Sequence, residues 1–323
     1  MTEHLVYSGK YDLYLPLFEH LHPFDGRKFS RAYGLLRERL GPAIENLTHT
    51  PDHDVPASEL LRVHTPSYLS SLNSAEVVAK ALEIQAVRLV PAVLREQRIL
   101  TPMRYAVQGT IDAVELALRQ GFVFHLGGGF HHAFADHGEG FCLYADAAIA
   151  IHSARARQLI GQTETVLIID LDAHRGNGCE HIFSGDSSIR FFDIYNFQVY
   201  PGPLDADEEE APYIIPIKSQ TADHDYLETL TAELPRFLSE NGEARLAIYN
   251  AGTDILAGDP LGQLAVSEAA VLQRDRFVLG LLAERGIPTV VLTSGGYTAH
   301  SHILIAQSAG DLLERFAQSR SAI

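Results

Sequence analysis

Four short apolar runs in this chain each stop at a cluster of glycines and metal-binding or proton-handling residues. The runs span residues 121–126, 166–169, 246–249 and 289–292. Apolar runs of this length, bounded by turn residues, are typical of strands buried on both faces of a parallel sheet. In open α/β sheets, ligands bind beyond the carboxyl ends of the strands. We therefore expect one site to be built from the clusters that follow the runs, which are Gly127-Gly128-Gly129-Phe130-His131-His132, Asp170-Leu171-Asp172-Ala173-His174, Asn250-Ala251-Gly252-Thr253-Asp254 and Thr293-Ser294-Gly295-Gly296-Tyr297.

The rest of the pattern predicts helices between these strands. Apolar residues three and four apart predict helices over 27–40, 75–94, 101–119, 146–159, 223–239 and 267–284, and a further strand over 190–194. Ser267 is a good helix N-cap, and Gly286 lies just past the end of the same helix. This alternation predicts an α/β fold with a mostly parallel sheet covered on both faces. We find no repeat and no linker, so we expect one domain over 1–323.

The net charge of −16 argues against nucleic-acid binding, which needs basic patches. It is compatible with a cationic substrate such as a lysine-rich peptide or a polyamine, and equally with simple solubility. No apolar run is long enough to span a membrane, and no signal peptide is visible. Cys142 and Cys179 are too few for a disulfide framework, which indicates a reducing compartment. Because no targeting signal is visible, a cytoplasmic location is the default expectation. The acidic run over 205–210 is expected to be a solvated loop.

The segment from Asp170 to His174 carries the clearest chemical signal. Residues two apart near a strand end point to the same side, so Asp172 and His174 can share one ion while Asp170 turns toward a neighbour. Carboxylate and imidazole ligands suit zinc or another first-row divalent cation. Asp254 is the best third ligand, although an aspartate in this position is also common in a turn. The alternative for the whole segment is a strand-to-loop transition with solvated polar residues.

His131, His132 and Tyr297 are candidates for proton transfer and oxyanion stabilisation. Imidazole titrates near neutrality, and a phenol can donate a hydrogen bond to a developing oxyanion. Asp170 could fix the tautomer of one histidine. The glycines do not form a dinucleotide-binding loop, because the third glycine of that motif is replaced by His132. Surface exposure of the histidines and simple packing of Tyr297 are the alternatives. We do not expect metal ligands at three further histidines, His137, His300 and His302.

Together these motifs resemble the zinc-dependent histone deacetylase family, which also includes acetylpolyamine amidohydrolases and acetoin-utilisation proteins. The resemblance covers about residues 6–313, and its motifs, including Gly140-Phe141-Cys142, occur in the family's order. It is closer to the class IV histone deacetylases. The segments similar to that class are His22-Pro23-Phe24-Asp25, Val63-His64-Thr65, Tyr144-Ala145-Asp146, 170–174 with Gly176-Asn177-Gly178, Tyr195-Asn196, 249–254 and Gly258-Asp259-Pro260-Leu261-Gly262.

The resemblance implies an arginase-like, three-layer αβα domain with a mostly parallel eight-stranded sheet. It implies that zinc is bound by Asp172, His174 and Asp254. It implies a structural potassium ion held around Asp170, Asp172 and His174 by main-chain oxygens. The channel for the acyl-lysine side chain would be lined by residues that include Gly140, Phe141, Tyr200, Gly295 and Gly296.

The same resemblance implies that His131 pairs with Asp170, that His132 is the general base and then the acid, and that Tyr297 stabilises the tetrahedral intermediate. Asn177 stands where most of the family has an aspartate behind the second histidine. A neutral amide can orient an imidazole but cannot favour its cation by charge. We therefore predict a lower pKa for His132 than a carboxylate partner would give.

The predicted reaction is hydrolysis of an N-acyl amide on lysine in a protein or peptide, with an acetyl or a long-chain fatty acyl group. An acylated polyamine is the alternative substrate. A catalytically silent acyl-lysine-binding module is a further alternative, disfavoured by the intact set of candidate residues. A dimanganese arginase is disfavoured because the sequence supplies ligands for one metal. The ligand set accepts Fe²⁺ as well as Zn²⁺. The sequence does not indicate an oligomeric state.

Overall fold

A computed structural model describes residues 3–13, 24–202 and 213–320, with side chains to residue 314. In this part of the chain eight strands form one sheet, and every strand pair is parallel. The sheet order is β2-β1-β3-β8-β7-β4-β5-β6. The strands are β1 Leu5–Val6, β2 Thr48–His49, β3 Phe122–His125, β4 Val166–Asp170, β5 Ile189–Asn196, β6 Ile214–Ile217, β7 Leu246–Asn250 and β8 Thr289–Leu292.

Successive residues of the central strands are buried on opposite faces of the sheet, as the period of two requires. In β4, for example, Leu167 and Ile169 belong to one hydrophobic core and Val166 and Ile168 to the other. This explains why the strands read as continuous apolar runs. The first core is completed by residues of four helices, Lys28–Leu40, Asp223–Glu240, Glu268–Glu284 and Ser301–Arg320, and the second by residues of three, Ala75–Ala81, Thr101–Gln120 and Asp146–Ala156. The α/β fold with three αβα layers is therefore confirmed.

Most predicted helices are found close to their predicted bounds. The helices are α1 Lys28–Leu40, α2 Ala43–Leu47, α3 Ala57–Leu60, α4 Pro66–Ser71, α5 Ala75–Ala81, α6 Ala92–Arg95, α7 Thr101–Gln120, α8 Asp146–Ala156, α9 Asn177–Ile182, α10 Asp223–Glu240, α11 Glu268–Glu284 and α12 Ser301–Arg320. Ser267 caps α11 by accepting from the Ala270 N–H at 3.2 Å.

The prediction of one helix over 75–94 is wrong. The segment divides into α5, a 3₁₀ turn at Gln85–Leu89, and the single turn of α6. Glu83 has a φ of 57°, a left-handed conformation that no α-helix continues through. Pro91 lacks an N–H and so favours a helix start rather than a helix interior. Val78, Ala79, Leu82 and Val87 are nevertheless buried in the second hydrophobic core.

The four predicted clusters follow β3, β4, β7 and β8, which occupy adjacent positions in the sheet as β3-β8-β7-β4. Their carboxyl ends therefore open on one edge, as predicted. No helix in the described ranges has the length and apolar character needed to cross a bilayer. Residues 22–23 of the His22-Pro23-Phe24-Asp25 segment and the acidic run 205–210 lie outside the described residues. The single-domain span of 1–323 stays a prediction.

Candidate active site

The centre of the site is a buried cluster of Asp172, His174 and Asp254. Each residue offers one ligand atom, and these atoms lie within 4.8 Å of one another. His174 Nδ1 is 3.0 Å from Asp172 Oδ1 and 3.0 Å from Asp254 Oδ2. Main-chain N–H groups hold the other carboxylate oxygens, because Gly295 donates to Asp172 Oδ2 at 2.7 Å and Ala173 donates to Asp254 Oδ1 at 2.9 Å. The sequence-predicted ligands are thus brought together.

Two carboxylates buried this closely require a positive charge between them. Burial and the neighbouring Asp172 raise the pKa of Asp254 to about 7. Burial alone would lower the pKa of His174, but its hydrogen bonds to Asp172 and Asp254 raise it well above its usual value. The cluster therefore stabilises a cation at the position of His174 Nδ1. A divalent metal ion is one source of such a charge, and a donor set of two carboxylates and one imidazole suits zinc or ferrous iron.

His131 and His132 lie beside this cluster, with ring centroids 4.1 Å apart. His131 Nδ1 donates to Asp170 Oδ2 at 2.7 Å. His132 Nδ1 is 2.7 Å from Asn177 Oδ1. The two adjacent histidines of one loop therefore have different partners, one an anion and the other a neutral amide.

These partners separate the pKa values of the two histidines. Burial alone would lower the pKa of His131, but Asp170 and Asp172 outweigh it and raise the pKa to about 9. Burial, reinforced by His131 and His174, lowers the pKa of His132 well below its usual value. At neutral pH, His131 is a cation and His132 is a neutral imidazole that can accept a proton. Burial and the neighbouring histidines, not Asn177, cause this low pKa, so the predicted difference between an amide and a carboxylate partner stays a prediction.

Tyr297 lies across the cluster, with its ring centroid 6.1 Å from that of His174. Burial, followed by the nearby Asp172, raises its pKa well above the usual value, so the phenol keeps its proton and can donate it in a hydrogen bond. Asp259 fixes the main chain here by accepting from the Tyr297 N–H at 2.8 Å and from the Leu261 and Gly262 N–H groups at 3.0 Å each. A neutral donor is thus held beside the metal-binding cluster.

Gly295 is required by close packing. A Cβ at this position would collide with the carboxylates of Asp172 and Asp254. Behind it, Lys28 is fully buried and its Nζ donates to the Ser294 carbonyl oxygen at 2.6 Å. Burial lowers the pKa of Lys28 to about 8 even though Asp254 and Asp172 oppose that shift. Sequence reasoning missed Lys28. The sequence indication that could have identified it was its position three residues after the Phe24-Asp25 motif.

Two cavities meet at this centre. The entrance cavity is lined by polar and aromatic residues that include Glu83, His174, Gln198 and Tyr200. The apolar cavity has a volume of about 970 Å³ when the space open to solvent is included. Its lining includes a set of aliphatic and aromatic side chains, namely Leu13, Phe24, Phe29, Leu82, Ile84, Val87, Ile99 and Met103. Both cavities are lined by His132, Gly140, Phe141 and Tyr297.

The structure places the remaining sequence candidates as follows. Tyr200 lines the entrance cavity, Gly295 lines the apolar cavity, and Gly296 lines neither of them. His137 is half-exposed, and exposed His300 pairs with Glu268 at 2.8 Å, so neither belongs to the metal-binding cluster. The catalytic and binding roles assigned to all these residues stay predictions.

Sequence reasoning also missed Arg274 of α11. It is fully buried, and its Nη1 donates to the Leu171 and Gly252 carbonyl oxygens at 2.9 and 2.7 Å. Those carbonyls lie in the loops that carry Asp172 and Asp254. One side chain thus joins the two loops, and a lone arginine inside a helix gives no sequence signal of this.

Comparisons with known proteins decide the family. A family model described as a histone deacetylase domain matches residues 22–312. The chain belongs to the histone deacetylase family. It is 39% identical to histone deacetylase 2 of Arabidopsis thaliana over 317 residues, which cover 95% of this chain and 78% of that protein. It is 27% identical to a probable deacetylase of Methanothermobacter thermautotrophicus, with 91% of this chain and 85% of that protein covered.

The fold of this family member agrees with a solved structure. The crystal structure of the HDA15 HD domain matches 97% of this chain and 88% of that chain, with a TM-score of 0.75 and 22% sequence identity. This confirms the predicted arginase/deacetylase-like fold. Membership of the family makes the protein a hydrolase of the deacetylase type.

Proposed function

We propose that this histone deacetylase family member is a metal-dependent hydrolase that removes acyl groups from the Nε amine of lysine in proteins or peptides, and that it belongs to the class IV branch. The observation that carries the proposal is the buried Asp172, His174 and Asp254 cluster, flanked by the neutral imidazole of His132 and the protonated phenol of Tyr297. These groups surround the junction of the two cavities, where an amide bond would lie.

The donor set of the cluster fits Zn²⁺, and Fe²⁺ is the alternative. A bound ion of this kind polarises an amide carbonyl and a water molecule. His132 Nε2 takes a proton from the attacking water, because Nδ1 is engaged with Asn177. Tyr297 donates to the carbonyl oxygen as negative charge develops on it. His132 then protonates the leaving amine. His131, held as a cation by Asp170, stabilises the negative charge nearby.

A structural potassium ion is also part of the proposal. Asp170 and Asp193 are paired in register on β4 and β5, and both are buried. Within the described residues, Asp193 Oδ1 has no hydrogen-bond partner. Burial, and then the charge of Asp170, raises the pKa of Asp193 well above its usual value. A monovalent cation near Asp170 would offset this crowding of acidic groups, with main-chain oxygens of Asp172 and His174 as further ligands.

The two cavities suggest where each part of the substrate binds. The entrance cavity has an acidic residue, Glu83, and the aromatic rings of Phe141 and Tyr200, which suit an alkylammonium chain. The apolar cavity has room for an acyl chain longer than acetyl. Each buried methylene contributes about 0.8 kcal/mol, so two extra methylenes correspond to more than a tenfold gain in kcat/KM. We therefore propose that longer acyl groups are preferred over acetyl.

A panel of substrates tests the proposal. Zinc-loaded protein is assayed with one peptide sequence carrying Nε-acetyl, -octanoyl or -myristoyl lysine, and with N-acetylspermidine. We expect hydrolysis of the peptides, with kcat/KM rising with chain length. Hydrolysis of the polyamine alone would instead establish the small-molecule reaction, which the acidic charge also allows. The zinc content of the wild type and of Asp254→Ala is measured as a control, and only the wild type should bind zinc. If the zinc-loaded wild type then hydrolyses none of the substrates, the enzyme proposal is contradicted.

A matched pair of variants tests the assignment of the apolar cavity. Ile84→Trp would fill the cavity from a partly exposed position, and Leu89→Trp changes a residue on the same segment that is 87% exposed. Ile84→Trp should lower kcat/KM for octanoyl- and myristoyl-lysine but not for acetyl-lysine, whereas Leu89→Trp should behave as the wild type. Equal effects of both variants would show that the acyl chain binds elsewhere.

A further inference from the structure

A third residue stands behind His132 and Asn177. Asn177 Nδ2 donates to Glu139 Oε1 at 2.8 Å, while Asn177 Oδ1 is 2.7 Å from His132 Nδ1. The Tyr200 ring packs edge-on against His132, with the ring centroids 4.9 Å apart. The amide of Asn177 is therefore held between an imidazole on one side and a carboxylate on the other.

Only one orientation of this amide satisfies both neighbours. A carboxylate accepts hydrogen bonds and cannot donate, so the NH₂ group of Asn177 must face Glu139. The amide oxygen then faces His132, and because that oxygen can only accept, His132 Nδ1 must carry the proton. Nε2 is left with its lone pair free. The reverse orientation would present NH₂ to Nδ1 and so favour the tautomer with the proton on Nε2, which cannot act as a base.

The main chain holds Glu139 in this position. Glu139 begins a tight turn closed by the Cys142 N–H, which donates to the Glu139 carbonyl oxygen at 2.8 Å. The central residues Gly140 and Phe141 have φ values of 52° and 67°. A positive φ is costly for a phenylalanine and is typical of residues fixed by function. The same turn thus places Phe141 in the cavities and Glu139 against Asn177.

Resting on the proposed function, we propose that Glu139 is a positioning residue for catalysis: through Asn177 it sets the tautomer of His132. An aspartate behind the histidine would need no such residue, because its two oxygens are equivalent as acceptors. An asparagine does need one, because its two ends are not equivalent. Glu139 is about one-third exposed and has His137 Nε2 3.6 Å from its other oxygen, so it acts by accepting a hydrogen bond rather than by long-range charge.

The proposal is tested with Glu139→Ala, Asn177→Asp and the double variant, all loaded with zinc. Asp136→Asn is the control, because Asp136 is an exposed acid on the same loop that bonds His137 and not Asn177. Glu139→Ala should lower kcat by roughly 10- to 100-fold with little change in KM, as is usual for residues that orient a functional histidine. In the Asn177→Asp background the same substitution should not lower kcat, because the aspartate has no wrong orientation.

The tautomer of His132 is read independently of turnover, from ¹H–¹⁵N correlation spectra of protein labelled at histidine. The wild type and Asp136→Asn should show the proton on Nδ1, and Glu139→Ala should show a detectable fraction with the proton on Nε2. An unchanged tautomer in Glu139→Ala, or a loss of kcat that persists in the Asn177→Asp background, would overturn the proposal. If the wild type hydrolyses no amide, the proposed function fails while the spectra still decide the role of Glu139.

Discussion

Replacing Arg274 with methionine should destabilise the fold and weaken metal binding together. Methionine keeps much of the apolar volume but removes the donors to the Leu171 and Gly252 carbonyl oxygens. It also leaves Asp275 without the guanidinium, although Asp275 would still accept from the Tyr249 hydroxyl and the Ser308 hydroxyl at 2.6 Å each. Breaking a buried ion pair from one side costs about 3–5 kcal/mol. Each buried carbonyl that loses its partner adds about 1 kcal/mol.

We therefore expect Arg274→Met to lower the free energy of unfolding by roughly 5–7 kcal/mol, a large part of the stability of an ordinary domain. Arg276→Met is the matched control. Arg276 lies on the same helix and pairs with Asp311, but its side chain is 47% exposed, and such surface pairs contribute about 1 kcal/mol or less. Arg274→Lys should fall between the two, because an ammonium keeps the charge but not the planar fork of donors.

The assay is urea denaturation of the zinc-loaded proteins, followed by competition with a chelator to rank zinc affinity. Arg274→Met should show the larger loss in the midpoint and a zinc affinity lower by roughly 10- to 100-fold, because the loops that carry two ligands are no longer joined. If Arg274→Met and Arg276→Met unfold within about 1 kcal/mol of each other, the buried arginine does not hold these loops and the reasoning is refuted.

Four further outcomes are expected. Tyr297→Phe should lower kcat by about 10²–10³-fold with little change in substrate binding, and full retention of rate would exclude the oxyanion role. The acidic limb of the pH–rate profile should lie below pH 6.5, since the pKa of His132 is lowered by burial. Asn177→Asp should move that limb to higher pH, because a carboxylate favours the His132 cation. A shift to higher pH in Asn177→Ala without one in Asn177→Asp would contradict this. Burial lowers the pKa of His64 to about 4, and its Nε2 accepts from the Ala145 N–H. Between pH 6.5 and about 4 the unfolded chain therefore binds a proton that the folded protein does not, so the free energy of unfolding falls as the pH is lowered through this range. His64→Gln should reduce that slope by about 1.4 kcal/mol per pH unit in denaturant titrations.

The fold and the candidate centre could be predicted because both depend on local patterns. An apolar run predicts a buried parallel strand by itself, and the geometry of a parallel sheet then brings the strand ends to one edge. The break after Ala81 could not be predicted in the same way. Glu83 takes the left-handed position that ends a helix, where the Glu83 N–H donates to the Lys80 carbonyl oxygen and the Ile84 N–H to the Ala79 carbonyl oxygen, each at 3.1 Å, and glutamate carries no sequence signal for this position.

The hydrogen-bond partners of buried polar side chains also could not be predicted from the sequence. Arg274 lies about 100 positions from Leu171, and Lys28 lies 266 positions from Ser294. Their hydrogen bonds depend on how helices dock on the sheet, which no local spacing encodes. Asp259 and Glu139 did lie inside or next to recognised motifs, so their positions, though not their partners, were available from the sequence.

The clearest case is the adjacent pair His131 and His132, which are the same residue type on the same loop. Burial acts on both in the same direction, so burial cannot give them different charge states. The difference comes from the partners, a carboxylate at Asp170 and an amide at Asn177. A carboxylate at position 177 would draw His132 toward the cation as well and reduce the fraction available as a base. An amide avoids this but adds the requirement of a fixed orientation, and Glu139 is the described residue placed to meet it.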